Sequence, residues 1–160
     1  MSRILYLDYD GVLHDEHVYF HPKRGIYIGT AGRTLFEWMH ILDEILRPHP
    51  DVRIVLSTSW VRQRGFNFAK KQLTPALQGR VVGATFHRRE MREDLFHQMV
   101  RGEQIAQDVF RRGPTAWFAI DDDYIGWPGW CRDNLIRTHG ALGISCPKAQ
   151  DAIRVMLERF

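Results

Sequence analysis

Apolar residues along this chain fall into two rhythms. Short, nearly unbroken runs occur at residues 3–7, in VRIVLSTSW (52–60), in RVVGATF (80–86) and in TAWFAI (115–120). Their length and β-branched content predict buried strands. ALGIS (141–145) predicts a fifth, weaker one. Between these runs the spacing changes to that of helices. RTLFEWMHILDEIL puts Leu35, Trp38, Met39, Leu42, Ile45 and Leu46 on one face before Pro48 and Pro50, which predicts an amphipathic helix stopped by the prolines. A helix near 66–73, halted by Pro75, follows the second run. Helical periodicity then extends from about Glu90 to Arg112 with an interruption at Gly102, and KAQDAIRVMLERF predicts a terminal helix. From Gly11 to about Thr30 the chain is rich in Gly, His and aromatics and contains the alternating GIYIGT, which predicts a loop carrying a small hairpin or flap over about 12–30.

Apolar strands alternating with amphipathic helices predict an α/β fold, a mostly parallel five-stranded sheet with helices on both faces. In such sheets ligands bind beyond the carboxyl ends of the strands. Three predicted strand ends carry polar chemistry: Asp8 and Asp10 in LYLDYDG, Ser57, Thr58 and Ser59 in LSTSW, and Asp121, Asp122 and Asp123 in AIDDD. They are expected to converge.

Composition narrows the setting without naming a partner. The chain has 160 residues, 44% of them hydrophobic and 26% charged, which fits one globular domain over 1–160 and excludes a disordered chain. No apolar run is long enough to span a bilayer, and the start MSRILYLDYDG reaches acidic residues too soon for a signal peptide, so a cytoplasmic protein without a membrane partner is expected. Cys131 and Cys146 lack CxxC spacing and are expected as reduced thiols. The net charge of +3 suits an anionic substrate but falls short of the dense basic face of a dedicated nucleic-acid binder.

Carboxylates crowded at neighbouring strand ends repel one another unless a cation or protons neutralise them. An all-oxygen donor set with no His or Cys at ligand spacing favours Mg²⁺, which shares its shell with substrate phosphate. Asp8 ends its strand, Asp10 follows on the same side, and Gly11 permits the tight path beyond. One carboxylate is placed to attack phosphorus and the other to exchange a proton with the leaving group and then with water.

These residues resemble the haloacid dehalogenase-like (HAD) phosphohydrolases. LYLDYDGVL resembles their first motif, IVLSTSW the second and WFAIDDD the fourth, in that order over most of the chain. LSTSW, RGEQI and AIDDD carry a narrower likeness to small uncapped phosphatase domains of bacterial RNA-repair proteins. The resemblance implies a three-layer Rossmann-like fold with no large cap and a Mg²⁺-dependent phosphomonoesterase that forms an aspartyl-phosphate. Asp8 would be the nucleophile and Asp10 the general acid/base. Metal ligands would be Asp8, Asp10 (through its backbone carbonyl), Asp121 and Asp122. Thr58 is the chosen phosphate-binding hydroxyl, with Ser59 and Ser57 as alternatives. Arg101 fits the family's basic third motif, with Arg88, Lys70 and Lys71 as alternatives. An uncapped cleft implies a bulky phosphate ester such as a nucleic-acid end. A phosphatase of small nucleotides or sugar phosphates, and a non-catalytic nucleic-acid or protein-binding module, are the competing readings.

Around this core, His14, His17 and His21 have no spacing that presents all three to one cation, and a loop near the mouth of the site, with His14 touching substrate, is expected instead. Trp127 and Trp130 are expected to pack a loop onto the core, with base stacking as the alternative. Arg88 and Arg89 read as a solvated basic face, with phosphate contact as the alternative.

Overall fold

The computed structural model describes residues 2–160. The apolar run at 3–7 forms the central strand β1 (Arg3–Leu7) of a five-stranded sheet. Around it lie β4 (Val52–Leu56), β5 (Val81–Ala84), β6 (Ala116–Asp121) and β7 (Leu135–Arg137), in the order β5-β4-β1-β6-β7 with every pair parallel. The hairpin also forms, as β2 (Val18–His21) against β3 (Gly25–Ile28). Strand alternation sorts the core into two layers. Leu5 and Leu7 face a cluster with Leu42, Ile45, Ile153 and Leu157, from helices α1 (Met39–Leu46) and α7 (Pro147–Arg159). Ile4 and Tyr6 face Ile105 of α6 (Arg101–Arg112), with Trp117, Trp127 and Cys131. The result is the three-layer α/β arrangement expected, without a large cap. No described helix is long and apolar enough to cross a membrane, and both cysteines are free thiols.

Several boundaries differ from the sequence expectation, each for a local reason. ALGIS is not a strand: Gly143 adopts φ +51° and Gly143–Ser145 form a 3-10 turn, with Val12 and the Trp38 ring packed where a side chain at 143 would stand. The edge strand is instead Leu135–Arg137, too short for periodicity to reveal. The break in the 90–112 region falls at Met99 and Val100, which are extended, between α5 (Glu93–Gln98) and α6. Gly102 lies inside α6 because the Trp127 ring packs against it; a Cβ there would sit 2.7 Å from the indole. The first helix begins only at Met39, since Phe36 has φ +57°. The segment after β4 comprises α2 (Ser59–Arg64), α3 (Phe66–Lys71) and α4 (Pro75–Gln78). Gly65 at φ +97° separates the first two, and Pro75 both follows α3 and opens α4 behind the Thr74 cap.

β1 is flanked on one side by β4, which follows it in sequence, and on the other by β6, which returns from the far edge. This reversal of strand order opens a crevice at the carboxyl ends of β1 and β6. Leu7 pairs with Leu56 and with Ile120, so the residues that follow each of them, Asp8, Ser57 and Asp121, emerge side by side.

Candidate active site

Register alone therefore gathers the three polar strand ends. Carboxylate oxygens of Asp8, Asp121 and Asp122 lie within 4.8 Å of one another. Asp8 and Asp121 are buried. Gly11, at φ +78°, takes the chain away from Asp10 past the Asp122 carboxylate, into which a side chain at position 11 would collide. Thr138 hydroxyl donates to the Gly11 carbonyl (2.7 Å) and Thr138 N–H to the Asp121 carbonyl (3.0 Å), tying the β7 end to both acidic loops.

Arg101, at the start of α6, reaches into this cluster. Its Nη1 stands 3.3 Å from Asp8 Oδ1 and 3.1 Å from Asp121 Oδ2, and it also donates to the Ser57 carbonyl. Burial works against its charge, but the Asp121 and Asp8 carboxylates outweigh that and hold the guanidinium more firmly protonated. Of the alternatives considered for the basic residue, Arg88 is spent on the Arg62 carbonyl, and Lys70 and Lys71 end α3; none of them lines the acidic cleft.

Burial raises the Asp8 carboxyl above its ordinary value; Arg101 opposes this and Asp10 adds to it. Asp121 is raised further by burial and by Asp8, again against Arg101. Burial and Asp8 push Asp122 up to about 7. One guanidinium does not compensate three crowded carboxylates. A hard divalent cation would, since the donor set is all oxygen. Asp8, Asp121 and Asp122 thus fit Mg²⁺, while the Asp10 carboxylate lies outside that set and is engaged elsewhere.

Asp10 Oδ1 accepts from His14 Nε2 (2.8 Å) and from Trp60 Nε1 (2.9 Å). Phe36 N–H donates to His14 Nδ1 (3.1 Å), so the imidazole proton resides on Nε2 and points at Asp10. His14 is fully buried, which corrects the expectation of a residue at the mouth in contact with substrate. Both bonds use Oδ1; Oδ2 has no hydrogen bond among the described residues, and the side chain is 31% exposed in the cleft. Sequence reasoning missed Trp60 in this role. Its indole reaches back across 50 positions, and the only signal was its place directly after the LSTS strand end.

The hydroxyls divide unequally. Thr58 Oγ1 accepts from Trp60 N–H (3.3 Å) as the cap of α2. Ser57 Oγ is buried, its residue 2% exposed, with no hydrogen-bond partner among the described residues. Both line a 360 Å³ pocket with Ser59, Arg101 and Asp123. It adjoins the 430 Å³ cleft lined by Asp8, Asp10, Glu16, His17, Ser59, Arg101, Asp122 and Asp123. The histidines do not gather: His17 bonds Asp15 (2.9 Å) and His21 sits exposed at the hairpin turn. Trp127 packs in the core, as expected, whereas Trp130 is exposed beside Phe110. Arg89, like Arg88, borders a separate pocket beyond β5.

No curated protein and no solved structure matches the chain significantly. The family described as the HAD domain in Swiss Army Knife RNA repair proteins matches residues 4–149. With the parallel sheet, the acidic strand ends and a match over most of its length, the chain belongs to that HAD domain family.

Proposed function

We propose that this chain is a Mg²⁺-dependent phosphomonoesterase that removes a terminal phosphate from a bulky ester, a nucleic-acid end above all, through an aspartyl-phosphate on Asp8. The observation that carries the reading is the meeting of Asp8, Asp121, Asp122 and Arg101 at one strand-end crevice, next to the Asp10 carboxylate, whose second oxygen has no hydrogen bond among the described residues. The uncapped, open cleft favours a bulky substrate, and the RNA-repair description of the family points to a nucleic-acid terminus.

Asp8, Asp121 and Asp122 would hold the metal, with the Asp10 backbone carbonyl as a further donor; when bound it supplies positive charge against the carboxylates and the phosphoryl oxygens. Asp8 attacks phosphorus, the bond to the leaving oxygen breaks, and Asp10 delivers a proton to that oxygen. Asp10 then takes a proton from water, the water oxygen attacks phosphorus, and the bond to Asp8 breaks to release phosphate. Arg101 and the unpartnered Ser57 hydroxyl are placed to donate to the phosphoryl oxygens, Thr58 and Ser59 being the neighbouring donors. His14 and Trp60 hold Asp10 by one oxygen, so that the proton travels on the other.

Asp8→Asn keeps the side chain's shape but removes the nucleophile. Release of p-nitrophenol from p-nitrophenyl phosphate with Mg²⁺ is expected to fall at least about 10³-fold, and EDTA is expected to abolish it in the unchanged protein. Turnover that survives the substitution would refute the mechanism.

A further inference from the structure

The chemistry described above leaves the β2–β3 hairpin unused, and its two faces differ. Val18 and Ile26 pack against the main core, so one face rests on the body through them, while Phe20 at the tip of that face is itself 57% exposed and lies 4.2 Å from the Arg64 guanidinium of α2. The other carries Tyr19 and Tyr27, cross-strand partners with ring centroids 5.9 Å apart. Tyr19 is 52% exposed. The Arg24 guanidinium lies 4.0 Å from the centre of the Tyr27 ring. The Tyr19 ring also passes over Gly29, where a Cβ would approach it to 2.5 Å.

This aromatic face is continuous with the reaction cleft. Gly29 N–H donates to the His17 carbonyl (2.8 Å), prolonging the hairpin beyond Val18, and His17 lines the cleft with Asp8 and Asp10. Alternation places His17 and Tyr19 on the same side. From the cleft rim to the turn the strand runs roughly 13 Å at about 3.3 Å per residue, long against the roughly 3.4 Å rise of one stacked base. Charge is segregated along the same line. Residues 17–32 include Lys23 and Arg24 and not one Asp or Glu, whereas the cleft itself is lined by Asp8, Asp10, Glu16, Asp122 and Asp123. Aromatic rings interleaved with cations on a ribbon free of acids are the chemistry that holds single-stranded nucleic acid, since every base has a face to stack and every link a negative charge. A phosphopeptide of mixed charge gains nothing from such segregation.

We infer that the outer face of the hairpin is a stacking platform for the single-stranded nucleic acid adjoining the phosphorylated terminus. Tyr19 stacks one base, and the Arg24–Tyr27 pair takes the next base or its backbone phosphate. The inference rests on the phosphomonoesterase reading for where the terminus lies.

Binding of a fluorescein-labelled single-stranded RNA to the Asp8→Asn protein, read by fluorescence anisotropy, separates the two. Tyr19→Leu/Tyr27→Leu keeps apolar bulk in the hairpin and is expected to weaken binding about tenfold or more. Tyr19→Phe/Tyr27→Phe, which keeps the rings, is expected to restore it to within about twofold. Arg24→Ala is expected to lower the slope of log affinity against log salt by about one. With Asp8 intact, the leucine variant should also lower kcat/KM for a terminally phosphorylated oligonucleotide, relative to p-nitrophenyl phosphate, by about tenfold. RNA affinity unmoved by the leucine variant, or an equal loss on a phosphoserine peptide, overturns the platform. If the unaltered protein hydrolyses neither ester, the phosphatase reading fails while the anisotropy result still decides the hairpin.

Discussion

Ser57 and Thr58 differ by one position in sequence and by a whole role in the structure. Thr58 already accepts a backbone N–H as a helix cap, whereas Ser57 holds a buried hydroxyl with no partner among the described residues. A buried hydroxyl left unbonded costs free energy, and a phosphoryl oxygen would relieve it. Ser57→Ala is accordingly expected to lower kcat/KM on p-nitrophenyl phosphate by about 10²-fold. Thr58→Ala is expected to cost about 1 kcal/mol of stability through the lost cap, with a smaller kinetic loss. Steady-state kinetics and urea midpoints of the two variants check the assignment, and the reverse ranking would return the phosphate to Thr58. Sequence spacing could not separate these neighbours, because their roles depend on which carbonyls and amides the turn after β4 leaves available. The same limit hid the His14–Asp10–Trp60 constellation, whose members meet only through the Phe36 N–H on the His14 ring and an indole from another element. The meeting of the acids at 8 and 121 was legible because strand register places the residues after Leu7 and Ile120 side by side.

At the scale of elements, the start of α6 is the most consequential joint. Arg101 enters the site only because the helix begins there, and Gly102 allows that beginning to nest against Trp127. An alanine in a helix interior normally gains about 1 kcal/mol over glycine. At position 102 its Cβ would lie 2.7 Å from the indole, so Gly102→Ala is expected to destabilise the fold by about 1–3 kcal/mol and to lower kcat beyond what the lost stability explains. Urea denaturation beside p-nitrophenyl phosphate kinetics measures both; a stabilised protein of full activity would contradict this packing. Periodicity suggested a break at Gly102 because glycine usually interrupts helices, yet the cause of this glycine lies in a tryptophan 25 positions away, beyond any local pattern. Long amphipathic stretches such as α7 were legible for the opposite reason: their burial depends on spacing within one element.

For the whole molecule, the acidic crevice makes stability depend on pH and metal together. Asp8, Asp121 and Asp122 are raised above the ordinary value of 3.8, Asp122 to about 7. A carboxyl raised by folding keeps its proton in the native state where the unfolded chain has lost it. Its stabilising contribution is therefore full below pH 3.8 and is lost as pH rises toward about 7. Metal-free protein is expected to melt several degrees lower at about pH 7.5 than at about pH 5. Mg²⁺ should raise the melting temperature at the higher pH far more than at the lower, where protons compete for the same oxygens. Differential scanning calorimetry with and without Mg²⁺ reads this directly, and a melting temperature indifferent to both would mean that the three carboxylates do not share a cation.

The central claim is that Asp8 carries the phosphoryl group in transit. Its most direct test is to quench the protein with acid during turnover of a phosphate ester in Mg²⁺, reduce it with borohydride and sequence its peptides by mass spectrometry. An aspartyl-phosphate is reduced to homoserine, so homoserine is expected at position 8, dependent on substrate and absent from Asp8→Asn. Sustained turnover with Asp8 unmodified, or with the label on another residue, would contradict the account.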